Sequence, residues 1–280
     1  MIALESDRMR VEMDPAFGAR LTALWDKRSG REWLATGPRE GGDGYGAAQA
    51  RGWDECFPTV APCGHPAWGS LRDHGLLWGR PWRVQAHGAT ARTTLEDERF
   101  AFSRTLDLRG GTLHALHELE SRSDAPLPWI WSQHCLLAAR PGERIEVEGA
   151  WGWTNGTHEA SWPLGEDGRD LSRVEKPEAG WARKLYARVA GRARLAATGE
   201  EGGLAFEWDE ASAPALGLWL CWGGWPTDPA LGAPVHQLAL EPATAPAHDL
   251  AAAETLGAAR VLAPGARASW RVAVTLTDPA

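Results

Sequence analysis

The chain has 280 residues, 44% of them hydrophobic and 24% charged, the balance of a globular protein rather than a disordered or fibrous one. Its formal charge of -8 speaks against nucleic acid or an anionic membrane as partner, since both need a basic footprint. No apolar run approaches the ~20 residues of a membrane helix. The opening MIALESDRMR sets acid and arginine where an export signal needs an apolar core, so a cytoplasmic protein is expected.

Period-two alternation recurs along the chain and predicts short strands bounded by Gly, Pro, Asp or Ser. In order these are 20–25, 82–86, 100–108, 112–120, 128–134, 144–147, 184–189, 204–208, 216–221, 236–241 and 270–276. In one of them Phe100, Phe102, Arg104, Leu106 and Leu108 share a parity, and Arg109-Gly110-Gly111 then reads as a hairpin turn. Before these, the stretch 51–82 crowds carboxylates, imidazoles, indoles and prolines into one irregular segment. Proline forbids a long helix there, and the composition is that of a loop carrying chemistry. The glycine-rich stretches 30–52 and 151–180 are expected to be long loops. A short helix over 249–259, capped by Asp249, is the one clear helical signal. With no fixed-period repeat and no linker, the expectation is all-β: one large antiparallel sandwich over residues 1–280 with few short helices.

Candidate chemistry narrows by elimination. Cys56, Cys63, Cys135 and Cys221 form no CxxC pair, so a zinc knuckle is not indicated and reduced thiols are expected, a Cys56–Cys63 bridge needing an oxidising compartment. The run Gly42-Asp43-Gly44-Tyr45-Gly46 has neither the strand nor the helix of a nucleotide loop and is taken as a flexible loop, and no GxSxG elbow occurs. His114 and His117, three apart on a strand, must point to opposite faces, which removes them as a metal pair. No metal and no cofactor is expected. His65, His87, His158 and His248 have no special sequence partner. Seventeen tryptophans against two tyrosines and five phenylalanines suit a packed interior, with three or four indoles left over for a sugar-stacking surface. Three groups stand out: His74 between Asp73 and Gly75, His134 at the end of 128–134, and Glu241 finishing an apolar strand before Pro242. They supply an acid–base pair and a second imidazole.

In order along the chain, VEMDPAFGARLTAL (11–24), DECFPTVAP (54–62), Asp73-His74-Gly75 followed by Trp78 and Trp82, PWIWSQH (128–134) and LALEPAT (238–244) resemble the aldose 1-epimerase, or galactose mutarotase, superfamily. The resemblance covers roughly residues 10 to 276. It implies the galactose mutarotase-like sandwich with a sugar site on a concave sheet face, and cofactor-free interconversion of α and β anomers. Glu241 matches the family's base and His134 its acid; His74 matches the imidazole that holds the sugar. Asp54, Glu55, Asp73 and Trp78 are expected to line the pocket, with Arg51 in the place of an arginine that precedes the Phe-Pro motif. A small-molecule sugar is the implied partner, bound by a monomer or homodimer.

Two departures accompany the resemblance. Members acting on hexose phosphates carry an arginine where Trp78 stands, which points to an unphosphorylated sugar, with Arg80 near enough to take that arginine's part. No substrate-binding aspartate aligns between acid and base, and Lys184 occupies that neighbourhood. A binding module without catalysis on the same fold is the main alternative. A lyase or hydrolase would need paired carboxylates or a tyrosine at the acid, and Tyr45 and Tyr186 are not expected there.

Overall fold

In a strand successive side chains face opposite sides, so a run with one apolar parity can bury that face and keep the other for something else. Two such sheets pack face to face in the computed structural model, which describes residues 1–37, 45, 46, 48–148, 162–189, 191–197 and 201–279. The first sheet runs, in spatial order, Ile2–Glu5, Met9–Asp14, Arg20–Asp26, Trp53–Cys56, Ser132–Leu137, His236–Ala243, Ala215–Trp222 and Trp181–Arg188, with Arg31–Glu32 attached to its third strand. The second runs Arg144–Val147, Arg192–Ala196, Gly203–Trp208, Arg267–Thr277, Thr112–Ser121, Phe100–Arg109, Thr90–Glu96 and Arg83–His87. Every pairing within them is antiparallel.

The predicted parities hold. Leu113, Ala115, His117 and Leu119 face inward while His114 is exposed, and Trp270, Val272, Val274 and Leu276 do the same on the neighbouring strand. The 100–108 row faces inward too, and it carries Arg104 into the core. Arg109 pairs with Thr112 across a two-residue Gly110-Gly111 turn, with Gly110 at φ 53°. The helix is shorter than expected, Leu250–Thr255, with Asp249 accepting from the Ala252 amide; Gly257 at φ 63° belongs to the turn that ends it.

Three expectations change. The 128–134 run is not one strand: Leu127–Trp129 pairs with Arg260–Leu262, and the chain crosses over to the large sheet at Ser132–Leu137, so His134 lies mid-strand. The strand 236–241 continues through Pro242 to Ala243. The stretch 51–82 holds a core strand, Trp53–Cys56, and the hairpin Cys63–His65 with Gly69–Leu71. Of the expected loops, 42–44 and 151–161, with His158, fall outside the described residues; 30–37 carries a short strand, and 177–179 makes a 3-10 turn. All four cysteines are free thiols, and no helix among the described residues is long and apolar enough to cross a membrane.

The centre of the sandwich is charged. Glu55 is fully buried and accepts from Arg104 Nη1 at 2.9 Å, His117 Nε2 at 3.2 Å, Trp53 Nε1 at 3.2 Å and Trp131 Nε1 at 2.8 Å. Burial alone would raise its carboxyl; the His117 and Arg104 charges outweigh that and hold it below the ordinary value. Removing one partner strands the other charge in the core. Glu55→Ala is therefore expected to lower the unfolding free energy in urea by about 3–5 kcal/mol, and a loss under about 1 kcal/mol would contradict this account.

Candidate active site

The register of the first sheet brings the proposed acid and base together. Ser132 pairs with Ala243 and Leu136 with Ala239, and counting inward between those pairs sets His134 opposite Glu241. No ladder pair forms at that point, which is where Pro242 lacks its amide hydrogen. Across the other edge Glu241 faces Gly217, and Gly217 faces Tyr186. A side chain at Gly217 would lie 3.0 Å from Glu241 Oε2 and 3.2 Å from the Tyr186 ring, so glycine is what lets both groups occupy the face.

His74 reaches the same place from the loop after Gly69–Leu71. Its backbone adopts φ 59°, a left-handed conformation costing a non-glycine residue about 1–2 kcal/mol. Next to it Gly75 has φ 70°, and a Cβ there would collide with Phe57 O at 2.1 Å. His74 N donates to Val60 O at 2.6 Å, which secures the turn. Strain retained at a ring that faces a cleft is the pattern of a positioned functional group.

A cleft of about 190 Å³ results, walled by Tyr45, Asp73, His74, His134, Leu136, Lys184, Trp219, Trp225, Gln237 and His248 among others. His74 and His134 meet edge to face with ring centres 4.5 Å apart, and Tyr45 stacks on His74 at 3.8 Å. Tyr45 Oη lies 3.4 Å from His134 Nδ1. Trp219 and Trp225 form a T-shaped pair at 5.9 Å, with Trp225 6.5 Å from the Tyr45 ring. Glu241 sits beneath these groups, fully enclosed: Lys184 Nζ donates to its Oε2, and Ser132 Oγ is 3.4 Å from the same oxygen. Its Oε1 has no hydrogen-bond partner among the described residues and faces His134 Nε2 at 3.8 Å. Burial, then the charges of His74, Lys184 and Arg20, hold the His134 imidazole well below its ordinary range, so it is neutral in neutral water.

The remaining expected residues divide. Asp73 lines the cleft and places a carboxylate oxygen 3.2 Å from His74 Nδ1, close in charge but without hydrogen-bond alignment. Trp78 does not line it; the indole is buried, donates to Asp73 O at 2.7 Å and backs Tyr45 edge-on at 5.5 Å. Asp54 and Glu55 cannot both face the sugar, because neighbours on a strand point to opposite sides. Glu55 is the core carboxylate already described, and Asp54, on the outer face, is enclosed and held by Arg20 Nε and Nη2. Arg51 opens onto an adjoining cavity of about 370 Å³ with Phe17, Arg20 and Thr36 rather than onto His134. Arg80 is taken up by Asp97 at 3.2 Å, so it is not aimed at a phosphate in the cleft.

Sequence reasoning missed Tyr45, expected to lie away from the acid, and His248, which had been set aside; both line the cleft. The glycines flanking Tyr45 read only as a loop, and nothing local signals the wall it forms. Trp219 and Trp225 gave only their residue type. Among the described residues no group of three or more His, Cys, Asp and Glu is placed to hold a metal ion.

The neutral state of His134 has a measurable consequence. Below about pH 6.5 an unfolded imidazole takes up a proton that folded His134 refuses, so stability falls as pH drops through that window. Compared by urea unfolding, the wild type is expected to lose up to about 1.4 kcal/mol per pH unit more than His134→Gln. Equal slopes would contradict a buried neutral ring.

No family model and no curated protein matches the chain. Solved structures do. A protein from Synechocystis superposes with TM-score 0.73 at 18% identity, covering 99% of this chain and 95% of that one. A galactose mutarotase-like protein from Lactobacillus casei gives 0.72 at 14%, covering 98% and 99%. A galactose mutarotase related enzyme from Lactobacillus acidophilus gives 0.71 at 14%, covering 99% and 98%. The superpositions and their near-complete coverage give this chain the galactose mutarotase-like fold.

Proposed function

We propose that this protein is an aldose 1-epimerase-like isomerase that interconverts the anomers of an unphosphorylated sugar. The observation that carries the reading is Glu241 Oε1, a buried carboxylate oxygen with no hydrogen-bond partner among the described residues, turned towards His134 at the foot of an aromatic cleft about the size of one sugar ring. A hydroxyl proton can be accepted there. Glu241 takes the proton from O1, the C1=O1 bond forms and the C1–O5 pair moves onto O5, where His134 acts. Rotation about C1–C2 presents the other face, and the reverse transfers close the ring. Tyr45, Trp219 and Trp225 hold the ring in place, and the engagement of Arg80 by Asp97 favours a sugar without phosphate. General acid–base help of this kind contributes about 10²–10⁴-fold per group, with orientation adding to it.

A binding module without catalysis is the second reading, favoured by the complete enclosure of Glu241 beneath the cleft wall. Tyr45 beside His134 also meets one requirement of a lyase, contrary to expectation, but a chain-cleaving enzyme needs room on both sides of the broken bond and the cleft is small.

Polarimetry on freshly dissolved glucose and galactose tests the reading. Wild-type protein is expected to accelerate the approach to anomeric equilibrium, and Glu241→Gln to lose at least about 10²-fold of that acceleration while sugar still quenches tryptophan fluorescence. Sugar binding by calorimetry with no rate effect in the wild type would instead establish the binding module.

A further inference from the structure

Ring opening needs a proton at O5 as well as a base at O1, and the resting cleft places that proton in an unexpected position. Two groups flank the Glu241 carboxylate: the His134 imidazole on the Oε1 side at 3.8 Å, and the Lys184 ammonium hydrogen-bonded to Oε2. The register explains how Lys184 gets there. Glu241, Gly217 and Tyr186 form one row across the sheet, and Lys184 is two residues before Tyr186, hence on the same face. Its side chain is 12% exposed and lines the cleft, with Nζ 5.4 Å from the Tyr186 ring centre. Glu241 itself lies below the cleft wall, with Lys184 on the Oε2 side of the carboxylate and Oε1 left on the His134 side.

We propose that Lys184, rather than His134, supplies the proton that reaches the ring oxygen, making it the general acid of this cleft. The inference rests on the anomer-interconverting reading given above. O1 and O5 are both bonded to C1, so an acid and a base in mutual contact can serve the two atoms at once. In the forward step Glu241 takes the O1 proton, the C1–O5 bond breaks with its electron pair going to O5, and Lys184 Nζ gives O5 a proton. Glu241 is then a neutral acid and Lys184 a neutral amine. After rotation about C1–C2 the O5 proton returns to Lys184 and the Glu241 proton to O1, restoring the ion pair; no outside oxidant, reductant or co-reactant takes part.

His134 then has a different duty. With its Nδ1 facing the Tyr45 hydroxyl, Nε2 is left for the ring oxygen as a hydrogen-bond donor. Burial keeps that ring neutral first, and Lys184 adds its repulsion to that of His74 while it neutralises the carboxylate 3.8 Å away.

Lys184→Arg separates this from a structural role, because arginine keeps the charge and the pairing with Glu241 but does not give up its proton. Anomer exchange of glucose and galactose would be followed by one-dimensional NMR, with binding followed by tryptophan fluorescence. The expected result is a loss of about 10²–10⁴-fold in the exchange rate with sugar affinity within a few-fold of wild type. The wild-type rate should also hold from about pH 7 to about pH 9, where an imidazole donor is already exhausted. A Lys184→Arg rate within tenfold of wild type, or a wild-type rate falling about tenfold per pH unit above the imidazole range, would overturn the proposal and return the proton to His134. Should Lys184→Arg fail to fold, judged by circular dichroism, the wild-type pH profile decides alone. Absence of acceleration by the wild type on every aldose tried would defeat the epimerase reading itself, an outcome distinct from either of these.

Discussion

The rest of the structure depends on a single geometric constraint, the two-residue period of the large sheet acting on strands that carry charge on both faces. Along Trp53–Cys56 it sends Glu55 into the sandwich and Asp54 to the outer face; along Ser132–Leu137 it sends Gln133 inward and His134 outward; along His236–Ala243 it sends Leu240 inward and Glu241 outward. The inward charge of Glu55 is neutralised by Arg104 and His117 from the opposite sheet, and its oxygens also accept from the Trp131 indole. Those on the outer face are neutralised by their own neighbours, Arg20 on Asp54 and Lys184 on Glu241. One set holds the two layers together, and the other leaves a carboxylate with one unpartnered oxygen, among the described residues, beneath a small cleft.

The electrostatics of that cleft follow from where counter-charges fall. Glu241 has one oxygen committed to Lys184 and one without a partner among the described residues, and the unpartnered oxygen faces the ring that has been kept neutral. Beside Asp73 and His248, the cleft thus holds an ammonium and a carboxylate in contact, an uncharged imidazole opposite, and another imidazole pinned in a left-handed turn under a tyrosine. Such a set can move one proton each way between neighbouring oxygens without accumulating net charge. Among the described residues Arg20, Lys184 and Arg80 are each already engaged by a carboxylate.

The strands were legible because their signal is local. Alternation over six to ten residues records which face meets the core, and the 100–108 and 270–276 rows needed no further information. The ends of strands were less so. The run 128–134 reads as one strand, yet the chain changes sheets at Ile130-Trp131, because the residues that Leu127–Trp129 pairs with lie over a hundred positions away. Pro242 looked like a stop and is not one, since the ladder has already lapsed where its missing hydrogen would matter.

By itself the sequence determined the all-β sandwich, the separation of His114 from His117, and the nomination of His74, His134 and Glu241 as the groups to watch, since each follows from parity or from an ordered set of short motifs. Only the tertiary structure decided which neighbours they have. That Lys184 caps the carboxylate, that Tyr45 covers His74, that Glu55 belongs to the core and Arg51 to another cavity all depend on register between strands distant in the chain and on turns that fold one loop over another. Register is set by packing across the whole sheet, and no window of local sequence contains it.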